Sequence, residues 1–193
     1  TRGKDSWGVT DGVVIHKELG DITETYFDAE LDGPRYHTRH ATIGAVSKRN
    51  SHPFRFEHEG RVVVGAHNGH IANHWAIKDK YNRNEVEVDS EHIFQHLAEG
   101  KPLSDIGGYG AVVWYEYEAD KPQDRIRYFS RFNHQDLHFA KLITGEVAFC
   151  STKKALDMAA ILAGTAVEYF YDTEPLIKYF IEDDKLMQLD KLT

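Results

Sequence analysis

The residues from His37 to Gly69, HTRHATIGAVSKRNSHPFRFEHEGRVVVGAHNG, combine types suited to holding an amide. At one end a lone Arg39 stands in a polar, threonine-rich run with Thr38 and Thr42, ahead of the turn Asn50-Ser51-His52-Pro53. At the other end the β run Val62 to Val64 breaks into Gly65-Ala66-His67-Asn68-Gly69 and then into a helical pattern. A strand that stops at Asn-Gly just before a helix aims backbone N–H groups and a side-chain amide at one spot, which suits a developing oxyanion. The plain alternative is a strand-to-helix turn in which Asn-Gly supplies only the tight geometry.

Other constellations point less clearly to chemistry. The chain carries 12 histidines. His92 and His96 fall one turn apart on a predicted helix, the spacing of a metal-binding face. HIFQH lacks the glutamate that a zinc hydrolase helix places between its ligands, and spacing identifies no third ligand. The pair therefore reads as surface histidines, and neither metal nor cofactor is expected. His67, His70 and His74 share a region at the start of a helix but fit no familiar site. The single cysteine, Cys150, excludes an internal disulfide and every multi-cysteine metal site. Lying in the predicted core strand AFCST, it reads as a small buried thiol rather than a nucleophile.

Hydrophobic periodicity supplies the elements that must position these residues. Thr1 to Gly8 is a glycine-punctuated polar loop, and Val9 to His16 reads as a strand interrupted by an Asp-Gly turn. Leu19 to Gly33 is read as a short helix or a surface excursion. Spacings of three and four predict a helix near 71 to 81, and Val86 and Val88 flank a short extended segment. That segment delivers Asp89-Ser90 as capping residues to a helix over 90 to 99, closed by Gly100 and buried through Ile93, Phe94 and Leu97. After Gly107 the period changes to two. Ala111–Tyr117, Arg125–Phe132, Leu137–Ile143 and Glu146–Cys150 predict an antiparallel meander. Thr152 caps a helix over 153 to 163, followed by strands at Val167–Tyr171 and Tyr179–Leu189, the last bent at Asp183-Asp184. The pattern is α+β, two stacked antiparallel sheets with helices packed outside, in one domain spanning 1–193.

With 41% hydrophobic and 12% aromatic residues in 193, the chain suffices for one well-buried core. Its formal charge of −8, with Lys and Arg scattered, makes nucleic acid and anionic membrane poor partners. No apolar run approaches the roughly 18 residues of a membrane span. A reducing, cytoplasmic location is the expectation.

A resemblance runs along nearly the whole sequence. Arg2-Gly3-Lys4-Asp5-Ser6-Trp7-Gly8, HTRHATIGA at His37 to Ala45, Asn50-Ser51-His52-Pro53, HNG at His67 to Gly69 and Val88-Asp89-Ser90-Glu91 occur in the order and spacing of class II glutamine amidotransferase domains. These are N-terminal-nucleophile enzymes, and the wording is most similar to their short, stand-alone phage-encoded members. The host cytoplasm or a virion would then be the location. FIEDDKLMQL near the end also resembles the closing hairpin of such domains. The resemblance implies a four-layer αββα sandwich and hydrolysis of the glutamine side-chain amide to glutamate and ammonia. Arg39 would then pair with the substrate α-carboxylate, Thr42 would help hold it, and Asp89 would hold the α-ammonium. The Asn68 side chain and the Gly69 N–H would form the oxyanion hole, with Arg2 and Gly3 near the nucleophile. An ammonia-accepting synthase on a separate chain would be the implied partner; oligomeric state is not implied.

The sequence departs from the family pattern in two places. His40 replaces the family's aromatic residue after the arginine, and Ile43-Gly44 replaces the usual histidine beyond the threonine, so the loop over the substrate is expected to differ. Family members also begin with a nucleophilic cysteine on a strand well before the RGKDS-type loop, whereas this sequence starts at Thr1. Three explanations stand open: an incomplete copy of a longer protein, an inactive binding or structural module, or Thr1 as a substitute nucleophile using its own amine. An incomplete copy is expected to show an unpaired sheet edge beside the Val9 to Ile15 strand and an apolar gap near Asn68.

Overall fold

The computed structural model describes residues 3–24, 31, 35–132 and 136–191. Its centre is a pair of long antiparallel strands, β5 (Arg61–Ile71) and β6 (Gly108–Glu118), in register from Arg61↔Glu118 to Ile71↔Gly108. With β4 (Phe54–His58), β7 (Ile126–Arg131), β11 (Ile177–Glu182) and β12 (Lys185–Lys191) they form a six-stranded sheet ordered β12-β11-β7-β6-β5-β4. Side chains alternate across a strand, so Val62, Val64, Tyr115 and Tyr117 point to one face while Val63, Val112 and Trp114 point to the other. All seven are buried, and both faces must therefore be covered.

Helices cover the second face. α2 (Glu91–Glu99) lies against β4 and β5, with α1 (His74–Lys80) beside it, and Ile77, Ile93, Phe94 and Leu97 join Val63, Val112 and Trp114 in one core. Gly65 permits this approach, because a Cβ there would stand 2.4 Å from the Phe94 ring. Two three-stranded antiparallel sheets cover the first face. One is β2-β1-β3, built from β1 (Ser6–Thr10), β2 (Ile15–Leu19) and β3 (Arg35–Arg39). The other is β10-β8-β9, built from β8 (His138–Leu142), β9 (Val147–Cys150) and β10 (Val167–Tyr171). The Phe139 and Phe149 rings meet Phe129 of the large sheet at centroid distances of 5.0 and 4.9 Å. α3 (Lys153–Leu162) packs outside β8, β9 and β10 through Leu156 and Ala160; Thr152 caps it, accepting from the Ala155 N–H. The order from face to face is helix, sheet, sheet, helix, the α+β four-layer arrangement expected.

Four expectations are corrected. The strand expected to break at Gly65 runs on through Asn68 and Gly69 to Ile71, because Gly108 and Gly110 leave room for it where a Cβ would meet the His70 carbonyl and the His67 ring; the helix expected from 71 starts at His74. Val13 and Val14 lie in the β1–β2 turn rather than in a strand, their N–H groups bound by Asp11 Oδ1. The expected meander is split, since β7 stays in the large sheet while β8 and β9 pair in another. Val86 and Val88 are buried but form no strand. Of the Leu19 to Gly33 excursion, Ile22–Glu24 is a 3-10 turn, and 25–30 and 32–34 lie outside the described residues. The last bend is a tight hairpin, with Asp183 and Asp184 at φ of 47° and 55°. No described helix is long and apolar enough to cross a membrane.

Candidate active site

Gly3, Arg39, Thr42, Asn68, Gly69 and Asp89 all line one polar cleft of about 380 Å³. Thr1 and Arg2 lie outside the described residues. The cleft owes its shape to the far end of β5. Gly110 sends its carbonyl to Phe132 N–H on the β7 side, so Gly69, opposite it, is in a pair that exchanges no hydrogen bonds. The Gly69 N–H consequently points away from β6, and among the described residues no strand pairs with β5 on that side beyond Gly65. Two residues on, the Ile71 N–H points the same way and donates to Asp89 Oδ2 at 2.8 Å. Glycine is required at 69: a Cβ would stand 2.1 Å from the Tyr109 carbonyl oxygen and 2.4 Å from Gly110 Cα.

Asp89 stands at the start of α2, and its role there is not the helix cap that sequence suggests. Ser90, at the N-cap, makes no side-chain cap bond. Glu91 Oε1 instead takes the N–H groups of Glu87 and Val88, and Asp89 Oδ1 takes the Ser90 N–H at 2.9 Å. Arg39 approaches the cleft from the end of β3. Its guanidinium braces the following loop, donating to the carbonyls of Ile43 (2.7 Å) and Ala45 (3.3 Å). Asp5 Oδ2 anchors the same loop through the Ala41 N–H at 2.7 Å and His40 Nδ1 at 3.1 Å. The sequence departures at His40 and Ile43-Gly44 thus fall in a loop tied down by Arg39 and Asp5.

The electrostatics are those of an isolated dipole. His37, His52 and His67 also line the cleft, and burial holds His37 and His67 down to about 4 and His52 well below the ordinary imidazole value. They are neutral at physiological pH. Burial also lowers the Arg39 guanidinium, against the pull of Asp5 and Asp89, but an arginine in such surroundings keeps its charge. Among the described residues that line it, one arginine and one aspartate therefore face this polar cleft.

Sequence reasoning passed over several residues here. His67 Nδ1 lies 2.9 Å from Ser90 Oγ and Nε2 lies 3.3 Å from the Tyr109 carbonyl, tying β5, β6 and α2 together. The glycines of Gly108-Tyr109-Gly110 were the available signal, since a Cβ at Gly110 would stand 2.1 Å from His67 Nε2. His92 and His96, read as surface residues, are fully buried. His92 Nε2 lies 3.0 Å from His74 Nδ1, and Arg83 Nη1 donates to His96 Nδ1 at 2.8 Å. Among the described residues no group of three or more His, Cys, Asp or Glu could hold a metal ion.

A second cleft, of about 290 Å³, adjoins the first at Asn68, which lines both. Its floor is Val64, Ala66, Ala111, Val113 and Tyr115 of the large sheet, and its sides are the outer edges of β3 and β9. An apolar gap near Asn68 is thus present, but among the described residues the unpaired edges belong to β3 and β9; β1 is paired on both sides. Cys150, expected in the core, lines this gap at intermediate exposure.

Residues 35–102 match the family model of class-II glutamine amidotransferases. Over 116 residues the chain is 38% identical to a glutamine–fructose-6-phosphate aminotransferase (isomerizing) of Streptococcus pneumoniae, covering 53% of this chain and 19% of that protein. The protein of the same name from Staphylococcus aureus is 36% identical over 106 residues, 49% of this chain and 17% of its own length. The chain thus spans about a fifth of the length of these relatives. Among solved structures, the allosteric regulatory enzyme of purine biosynthesis superposes with a TM-score of 0.72 at 20% identity, over 100% of this chain and 44% of that one. A glutamine phosphoribosylpyrophosphate amidotransferase from B. subtilis, complexed with ADP and GMP, gives 0.69 at 19%, with the same coverage. The chain shares its fold with these two enzymes, and its residues 35–102 are similar to class-II glutamine amidotransferases.

Proposed function

We propose that the domain binds L-glutamine in the polar cleft and hydrolyses its side-chain amide to glutamate and ammonia. The observation that carries this reading is the convergence of Arg39 and Asp89 with Asn68 and Gly69 on one polar cleft. An amino-acid head group is a zwitterion, and a buried guanidinium with a buried carboxylate matches its two ends. Arg39 takes the α-carboxylate with Thr42 beside it, and Asp89 takes the α-ammonium. The carboxamide oxygen then lies toward Asn68 and the outward Gly69 N–H, two donors that need no reorganisation as negative charge develops on it.

The attacking group belongs in the apolar gap between β3 and β9. A strand seated there would pair with the two open edges and bury the floor residues. Attack on the amide carbon by a thiol or hydroxyl gives a tetrahedral oxyanion; its collapse breaks the C–N bond, the nucleophile's proton going to the nitrogen that leaves as ammonia, and water then hydrolyses the acyl intermediate to glutamate and restores the nucleophile. The ammonia serves a synthase that accepts it, on this or another chain.

Ammonia release from L-glutamine by the protein from its natural source tests this reading. Arg39→Ala is expected to raise KM by about 100-fold, as loss of a buried charge contact does, and to change kcat much less. Saturable glutamine binding without ammonia release would make the domain a binding module instead. Absence of both binding and release overturns the reading.

A further inference from the structure

His70 and Asp89 meet at the end of the cleft where the ammonium is assigned. The Asp89 carboxylate is 4% exposed, and the Ile71 and Ser90 N–H groups that it accepts are neutral dipoles. They orient the carboxylate without cancelling its charge. His70 follows Gly69 on β5, and its Nδ1 lies 3.5 Å from Asp89 Oδ2, with 41% of its side chain exposed. The other titratable or charged groups facing this pair come from four elements. Arg39 on β3 carries a fixed charge. His67 on β5 and His74 on α1 are held toward the neutral form by burial, and Lys78 and Glu91 act on His74. Tyr109 on β6 places its ring 6.2 Å from that of His70. Among the described residues, His70 is therefore the half-exposed imidazole that stands against Asp89 Oδ2.

We propose that His70 is a positioning residue that sets the strength of the ammonium subsite by competing for Asp89 Oδ2. Its protonated ring shares that oxygen with the α-ammonium and repels it; its neutral ring leaves the carboxylate's whole charge to the ligand. The proposal rests on the glutamine reading above. Pairs this exposed change affinity by about threefold to fivefold.

The test is calorimetric titration of the full chain with L-glutamine and with 4-carbamoylbutanoate, the same molecule without its α-amino group. Wild type, His70→Gln and His70→Lys are compared at about pH 8 and about pH 6.2, on either side of the ordinary imidazole range. Wild type is expected to bind glutamine about threefold to fivefold more weakly at the lower pH. His70→Gln should keep the higher affinity at both values, His70→Lys the lower at both, and 4-carbamoylbutanoate should ignore both pH and variant. A pH effect that persists in His70→Gln, or one equal for the two ligands, overturns the proposal and leaves the glutamine site standing. Absence of saturable glutamine binding at either pH overturns the glutamine reading, and the proposal with it.

Discussion

Acidification from about pH 7 to about pH 5 is expected to unfold the protein, because its buried histidines cannot take up protons while folded. His37 and His67 are held at about 4 and His92 at about 3, in each case chiefly by burial, against about 6.5 in an unfolded chain. Between those values the unfolded state binds more protons, so stability is fully present above the unfolded value and falls as pH drops toward the folded one. By about pH 5 each of the three histidines removes about 2 kcal/mol, about 6 kcal/mol together, which is comparable to the whole stability of an ordinary domain. His52, shifted the same way, adds to the loss. Circular dichroism against pH should show a cooperative transition above pH 4.5 or so, with uptake of about four protons. A fold that persists to about pH 4 with fractional uptake would mean that these histidines are not held neutral by the fold.

Replacing Asp89 is expected to have the next largest effect, because this one carboxylate serves both fold and ligand. Asp89→Ala leaves the buried Ile71 and Ser90 N–H groups without their acceptor, a cost of about 3 kcal/mol in a urea melt. Asp89→Asn keeps an amide oxygen and should recover about half of that loss. Both variants remove the charge opposite the ammonium, so glutamine affinity should fall about 100-fold in each. The Asn variant thus separates the two roles. Equal glutamine affinity in wild type and Asp89→Asn would remove Asp89 from the ammonium subsite while leaving its structural role intact.

Residue types and spacing alone marked Arg39 and Asn68-Gly69, whereas Gly3, Thr42 and Asp89 entered the site only through the family resemblance. Asn68-Gly69 follows a β-branched run, Arg39 stands alone among threonines, and Asp89 directly precedes a helix that ends at Gly100 in the left-handed conformation. The start of α3 was read well for the same reason, since Thr152 caps it. The continuation of β5 past Gly69 was hidden, since its partner is Gly108-Tyr109-Gly110, far along the chain and glycine-rich, and periodicity reports only local alternation. Likewise, HIFQH looks solvent-facing by composition. Its burial is decided by His74 and Arg83, whose packing against α2 no local pattern encodes. The split of the expected meander has the same origin. β7 and β8 have similar apolar alternation, and only long-range pairing with β11, β9 and β10 sends them to different layers.

The most direct measurement is a structure of the protein with L-glutamate, the product of the proposed reaction, bound at saturation. The α-carboxylate should lie about 3 Å from the Arg39 guanidinium, the α-ammonium about 3 Å from Asp89, and the side-chain carboxylate toward Asn68 and the Gly69 N–H. An amino acid bound elsewhere, or one seated in this cleft with its head group at Asn68 and its side chain toward Arg39, would contradict the account.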